Sequence, residues 1–189
     1  TTWVEQDAGW EGRVLAYCRA LYEHAPFLDA LAPFAERVAA VGERHALRQT
    51  ALKLTVPGVP DIYQGDELVA LSLVDPDNRR PVDYGRRREA LAAVSGASAT
   101  DLLESRRDGR VKLFVVHQAL AARAAMREVY DHGAYVPLAT AGARAQCVFA
   151  FARELDGASR VERPGEVFSG DAGIAITCVP RLVASLTPD

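Results

Sequence analysis

The chain has 189 residues, 49% hydrophobic and 25% charged, with a net charge of −3 and a sequence pI near 5.8. That suits a globular protein of one large or two small domains and offers no basic field for nucleic acid. No apolar run approaches the roughly 18 residues of a membrane helix, the N-terminus has no signal-peptide pattern, and the three scattered cysteines (Cys18, Cys147, Cys178) suggest a reducing cytoplasm rather than a disulfide framework or metal site.

Ala8 to Glu23 reads as an amphipathic helix, with Val14, Cys18 and Leu21 on one stripe and Leu15 and Tyr22 beside it. Trp3 and Trp10 read as hydrophobic anchors at the helix start rather than as sugar platforms. His24-Ala25-Pro26 breaks the chain. A second helical region is expected from Phe27, with Pro33 opening a fresh helix and Gly42 marking an end or kink. Leu47, Ala51 and Leu54 resume helical spacing up to Thr55, with His45 and Arg48 expected on a solvated face.

Pro57-Gly58 ends that helix, since proline cannot continue the hydrogen-bond ladder and glycine accepts positive φ. Val59 to Tyr63 is a short apolar run that fits a buried strand of a parallel sheet. Ligands of α/β sheets bind at the carboxyl ends of strands. The chemistry is therefore expected just beyond Ile62. Tyr63, Gln64, Asp66 and Glu67 come first, followed by a turn-rich loop carrying Asp75, Asp77, Asn78, Arg79 and Arg80. Carboxylates, amides and guanidiniums together suit a polyhydroxylated ligand, whose hydroxyls both donate and accept.

Asp83 is placed as the N-cap of a helix running to Val94, whose Arg86-Arg87-Arg88 run reads as a solvated face. Ser98 to Asp101 resembles a capping box for a short helix through Glu104. Arg106 to Gly109 is a turn, and Val111 to Met126 is strongly helical, with His117 packed or at the surface. From Asp131-His132-Gly133 onward β-formers dominate: 135–138, 146–152 and 173–179 read as strands. Cys147, Phe149 and Phe151 fall on one side of the second. Asp156 to Asp171 reads as a hairpin connection or loop, and Arg181 to Leu186 as the start of another strand.

PGVPDIYQGDE resembles the strand-eight region of the α-amylase superfamily of glycoside hydrolases. DPDNRRPVDYGRRREAL at this spacing after it resembles the trehalose-forming mutases of that superfamily. Softer similarity covers most of the chain and is weakest from Asp156 to Gly173. Arg80-Pro81 is similar to the Arg-x-Pro element of α-glucosidases. One departure is Val69-Ala70, where the family has an aromatic and an acidic residue.

The resemblance implies an α/β fold followed by β structure. Residues 1–130 would form the end of a (β/α)8 barrel, helices and last strand, with one parallel strand near 59–63. Residues 131–189 would form a small antiparallel β-sandwich-like C-terminal domain. A complete barrel needs about 250 residues, so the chain is expected to be the C-terminal part of a larger enzyme. The implied activity converts the reducing-end α-1,4 link of a maltooligosaccharide into an α,α-1,1 trehalose link. Retaining glycoside chemistry needs two carboxyl groups about 5–5.5 Å apart. The family takes its catalytic carboxylates from earlier strands, and no matching motif occurs here, so no catalytic residue is assigned.

Tyr63, Gln64, Asp66, Glu67, Asp77, Asn78, Arg79 and Arg80 are implied to be substrate-binding. Asp75, Arg79 and Asp83 have the stronger structural reading, since Asp-Arg pairs often fix such loops. The partners implied are a maltooligosaccharide and the upstream barrel portion of the same polypeptide. Nothing in the sequence calls for a cofactor or a metal. The alternative is a free-standing carbohydrate-binding or structural module; the apolar stripes around Val14, Val38 and Leu54 argue against it, because they would lack cover.

Overall fold

A computed structural model describes residues 1–72, 79–156, 161–163, 166–168 and 173–186. The chain divides into two compact units, Thr1–Gly42 and Glu43–Asp189.

In the first unit, α1 spans Ala8–Glu23, as the apolar spacing predicts. Asp7 caps it, its Oδ1 accepting from the Trp10 N–H at 2.8 Å, which satisfies one of the orphan donors of the first turn. No residue of α1 is buried. Trp3, at 98% exposure, anchors nothing within the unit. Two helices with one apolar stripe each enclose little core, so Tyr22, Phe34 and Val38 stay in the open as well.

Helix α2 runs from Ala25 to Thr55 without the expected breaks, passing through Pro33 and Gly42. Proline in a helix interior removes a hydrogen bond at a cost of about 3 kcal/mol, and glycine costs about 1 kcal/mol. Ala30, Ala32, Ala35, Ala39 and Ala40 flank both positions, and alanine is the strongest helix former.

In the second unit the end of α2 enters the core. Leu54 is fully buried, and the hydroxyls of buried Thr50 and Thr55 donate back to the carbonyls of Ala46 at 2.8 Å and Ala51 at 2.7 Å. His45 and Arg48 are half-buried rather than solvated. The chain then crosses to α3 (Tyr84–Val94), α4 (Ala99–Glu104) and α5 (Arg110–Ala125). Asp83 Oδ1 accepts from the Arg86 N–H at 2.9 Å and Ser98 Oγ from the Asp101 N–H at 3.2 Å, so both predicted caps form. Leu68, Ala90, Val94, Leu102, Val111 and Leu113 make one cluster. A short α6 (Arg127–His132), unexpected from the sequence, brings Val129 and Tyr130 into a second cluster with Leu155 and Ala175.

The predicted strands form an antiparallel sheet of order β1-β2-β5, with β1 Ala134–Pro137, β2 Val148–Leu155 and β5 Gly173–Pro180. In register, Tyr135 faces Arg153, Phe151 faces Thr177, and Arg153 faces Ala175. Alternation puts Phe151, Arg153 and Leu155 on one face, and all three are buried. Between β2 and β5, β3 (Val161–Arg163) pairs antiparallel with β4 (Glu166–Phe168). A β-sandwich was expected; the described residues give this one three-stranded sheet and this two-stranded ribbon.

Two expectations require correction. Val59–Tyr63 is irregular, and Val59 is 96% exposed. A parallel strand exists only through flanking ladder partners, and no described strand pairs with this segment. Arg181–Leu186 is no strand either: Val183–Leu186 is a 3₁₀ turn. Leu182 turns the chain at φ 52°, and its carbonyl accepts both the N–H (3.0 Å) and the Oγ (2.6 Å) of Ser185.

Candidate substrate-binding site

The polar residues after Ile62 sit on a tight turn rather than at a strand end. The Asp66 N–H donates to the Tyr63 carbonyl at 3.0 Å, and Gly65 takes φ 94°, a conformation glycine adopts without steric cost. Leu68, 4% exposed in the helical core, holds the far side of the turn.

One guanidinium ties this turn to the start of α3. Arg87 Nη2 donates to the Gly65 carbonyl at 2.6 Å, Nε to Glu67 Oε2 at 3.1 Å and Nη1 to the Asp83 carbonyl at 3.0 Å. From the other side Lys112 Nζ donates to the Leu68 carbonyl at 3.2 Å. Burial lowers the Lys112 pKa below the usual lysine value, against the pull of Asp66 and Glu67, while Lys53 pushes in the same direction as burial.

The sequence-predicted residues therefore fall into distinct places. Tyr63 and Gln64 are exposed and Asp66 is half-buried. Glu67 is half-buried and engaged with Arg87, side-chain exposures being 30% and 18%. Arg79 and Arg80 are exposed. Asp75, Asp77 and Asn78 lie outside the described residues. Val69, one of the two departures from the family pattern, is exposed, and its backbone lies against Gly109.

Arg87 was missed by the reading of Arg86-Arg87-Arg88 as a solvated face. Arg86 and Arg88 are indeed exposed, but Arg87 is not. The signal was present: cations in the first turn of a helix oppose its dipole, so Arg86 and Arg87 there call for a compensating carboxylate. Chemically the turn offers an aromatic face, an amide and a carboxylate, a set that stacks on and hydrogen-bonds to sugars. Among the described residues no group of His, Cys, Asp and Glu could hold a metal ion.

No protein-family model matches the chain. Proteins from two strains of Mycobacterium tuberculosis, both assigned as maltooligosyl trehalose synthase, are 39% identical to it over 156 residues, or 82% of the chain. The chain belongs to the maltooligosyl trehalose synthase family. It spans 18% of the length of those relatives.

Solved maltooligosyl trehalose synthases share the fold. One superposes with a TM-score of 0.72 at 25% identity, covering 96% of this chain and 27% of its own. The Arthrobacter ramosus enzyme gives 0.70 at 28% identity, covering 98% and 21%. A point mutant of that enzyme gives 0.70 at 34% identity, covering 81% and 20%. The helices and three-stranded sheet described above correspond to the C-terminal part of maltooligosyl trehalose synthase structures.

Proposed function

We propose that the chain is the C-terminal segment of a (1→4)-α-D-glucan 1-α-D-glucosylmutase. In this reading the whole enzyme is an intramolecular transglycosylase. It cleaves the reducing-end α-1,4 link of a maltooligosaccharide and rejoins the released glucose through an α,α-1,1 link. The observation that carries the reading is the turn at Tyr63–Glu67, which presents Tyr63, Gln64 and Asp66 on a rigid support in a chain of this family.

The segment supplies part of the subsite for the reducing-end sugar. Tyr63 and Gln64 contact the ring and its hydroxyls, and Asp66, Asn78, Arg79 and Arg80 complete the polar wall with Asp77. The catalytic carboxylates come from the upstream barrel of the same polypeptide. Residues 1–130 form the end of that barrel. Residues 131–189 form the β-rich C-terminal domain. The exposed apolar side chains of the first unit, Tyr22, Phe34 and Val38 among them, support this reading, because large uncovered apolar patches mark interaction surfaces. We place the enzyme in the cytoplasm; among the described residues no helix is long and apolar enough to cross a membrane.

The test is an assay of the full-length polypeptide on maltopentaose, following loss of reducing ends and appearance of a trehalose-capped product. The 189-residue chain alone yields no product. Gln64→Ala and Asp66→Asn in the full-length enzyme weaken turnover by about tenfold, the worth of a lost hydrogen bond involving a charged or sugar-facing group. Full activity in both variants, or trehalose-capped product from the isolated chain, refutes the assignment.

A further inference from the structure

We infer that Arg87 is a positioning residue that sets the geometry of the Tyr63–Glu67 turn and, through it, the partition of the reaction between transfer to glucose and transfer to water. The inference rests on the functional reading above and assigns a role to a side chain that does not itself face the sugar.

Arg87 reaches back across 22 residues of chain to the Gly65 carbonyl and across 20 to the Glu67 carboxylate. Its third contact, on the Asp83 carbonyl at the α3 cap, makes the guanidinium a bracket between the turn and the helix start. The fit is close. A Cβ on Gly65 would lie 3.2 Å from Arg87 Nη2 and 3.4 Å from Val82 Cγ2, so the turn is glycine both for its φ and for the approach of this side chain. A planar fork with fixed N–H directions can serve three acceptors at once, whereas an ammonium is a compact point charge on a flexible stem. Glu67 is then spent on the bracket, and the sugar-facing groups of the turn are Tyr63, Gln64 and Asp66.

In the proposed reaction a glycosyl–enzyme ester waits while the released glucose turns over. Transfer bonds the anomeric carbon to the C1 hydroxyl oxygen of glucose; hydrolysis bonds it to a water oxygen. In either case the ester breaks and the proton of the attacking hydroxyl or water passes to the general base. Only the first outcome needs glucose held in one orientation. A misplacement of about 1 Å costs on the order of a hundredfold in such an oriented step, while water suffers little from the same looseness.

The test has two parts. In the full-length polypeptide, hydrogen exchange is followed at the Asp66 N–H, which bonds the Tyr63 carbonyl, for Arg87→Lys and Arg87→Gln. Exchange there quickens at least tenfold, while the amides of Leu102 and Val116 in the core keep wild-type rates. In the full-length enzyme, the same variants and Glu67→Gln raise the ratio of free glucose to trehalose-capped product by about tenfold, and Arg88→Gln, on the exposed face, leaves it unchanged. Unaltered exchange at Asp66 overturns the bracket. Quickened exchange with an unaltered product ratio overturns its role in partition. A wild-type enzyme that makes no trehalose-capped product overturns the functional reading and the partition role with it, while the exchange result still decides whether the bracket exists.

Discussion

The guanidinium of Arg153 donates twice to the carbonyl of Gly133, through Nε at 3.2 Å and Nη2 at 2.7 Å. Arg153 is 2% exposed, and its Nη1 is buried with no hydrogen-bond partner among the described residues. Burial first, then the charge of Arg123, hold its pKa below the usual arginine value. The contact joins β2 to the point where α6 becomes β1, so it closes the corner between the helices and the sheet.

Arg153→Ala leaves the Gly133 carbonyl without these donors and opens a cavity beside Phe151 and Leu155. A buried acceptor left unsatisfied costs about 1–3 kcal/mol, and lost packing adds to it. Urea unfolding of the variant is expected to show a loss of about 3 kcal/mol. A loss below about 1 kcal/mol refutes the idea that this contact secures the corner.

Gly133 itself tolerates no side chain. A Cβ there would collide with the Val129 carbonyl and sit 3.1 Å from that of Glu154. Both obstacles are backbone, one in α6 and one in β2, and neither can swing aside. Gly133→Ala is expected to lower the unfolding free energy by about 2–3 kcal/mol. Circular dichroism melting checks it; an unchanged midpoint would show that the α6–β1 junction can shift.

Asp108 gives the chain an acid-sensitive joint at the start of α5. Its Oδ1 accepts from the Arg110 N–H at 2.9 Å and its Oδ2 from Arg110 Nε at 2.7 Å. Burial alone would raise the carboxyl pKa; the hydrogen bonds and charge of Arg110, with help from Arg86, bring it below the usual aspartate value. A carboxylate with a depressed folded pKa contributes stability that is complete above its unfolded pKa, about 3.9, and is lost as pH falls through the folded value. Asp108→Asn should therefore be less stable than wild type at pH 7, with the difference shrinking below about pH 4. Stability measured across pH 2–7 checks this, and a constant difference refutes it.

Lys112 is one of two lysines in the chain, the other being Lys53, so its side-chain resonance is simple to follow. Burial lowers its pKa. For a base with a depressed folded pKa the unfolded chain binds more protons in the intervening window, so stability rises as pH climbs toward the unfolded value of about 10.4. An NMR titration of the Lys112 side chain should give a midpoint below 10.4, and Lys112→Met should remove that alkaline gain. A midpoint at or above 10.4 would mean that Asp66 and Glu67 outweigh burial.

Local chemistry was legible in the sequence wherever both partners stand within a few residues. Asp83 and Ser98 cap helices because each reaches an N–H three residues on, and the alternation at Phe149 and Phe151 gave β2 its place in the sheet. The helix through Pro33 and Gly42 was not legible as one piece, because summed alanine propensity outweighed two single breakers. The family could be read from IYQGDE and DPDNRRPVDY, because the resemblance rests on the identity and spacing of side chains along one short stretch and needs no tertiary contact. By itself, then, the sequence determined α1, α3, α4 and α5, the caps at Asp83 and Ser98, the main strands and the family. Only the tertiary structure decided that Arg87 brackets Gly65, that Arg153 holds Gly133, and that Val59–Tyr63 finds no ladder partner among the described residues. Those outcomes depend on groups 20 or more positions apart in the chain. Their meeting is set by how helices and sheet pack, which no local pattern of residues encodes.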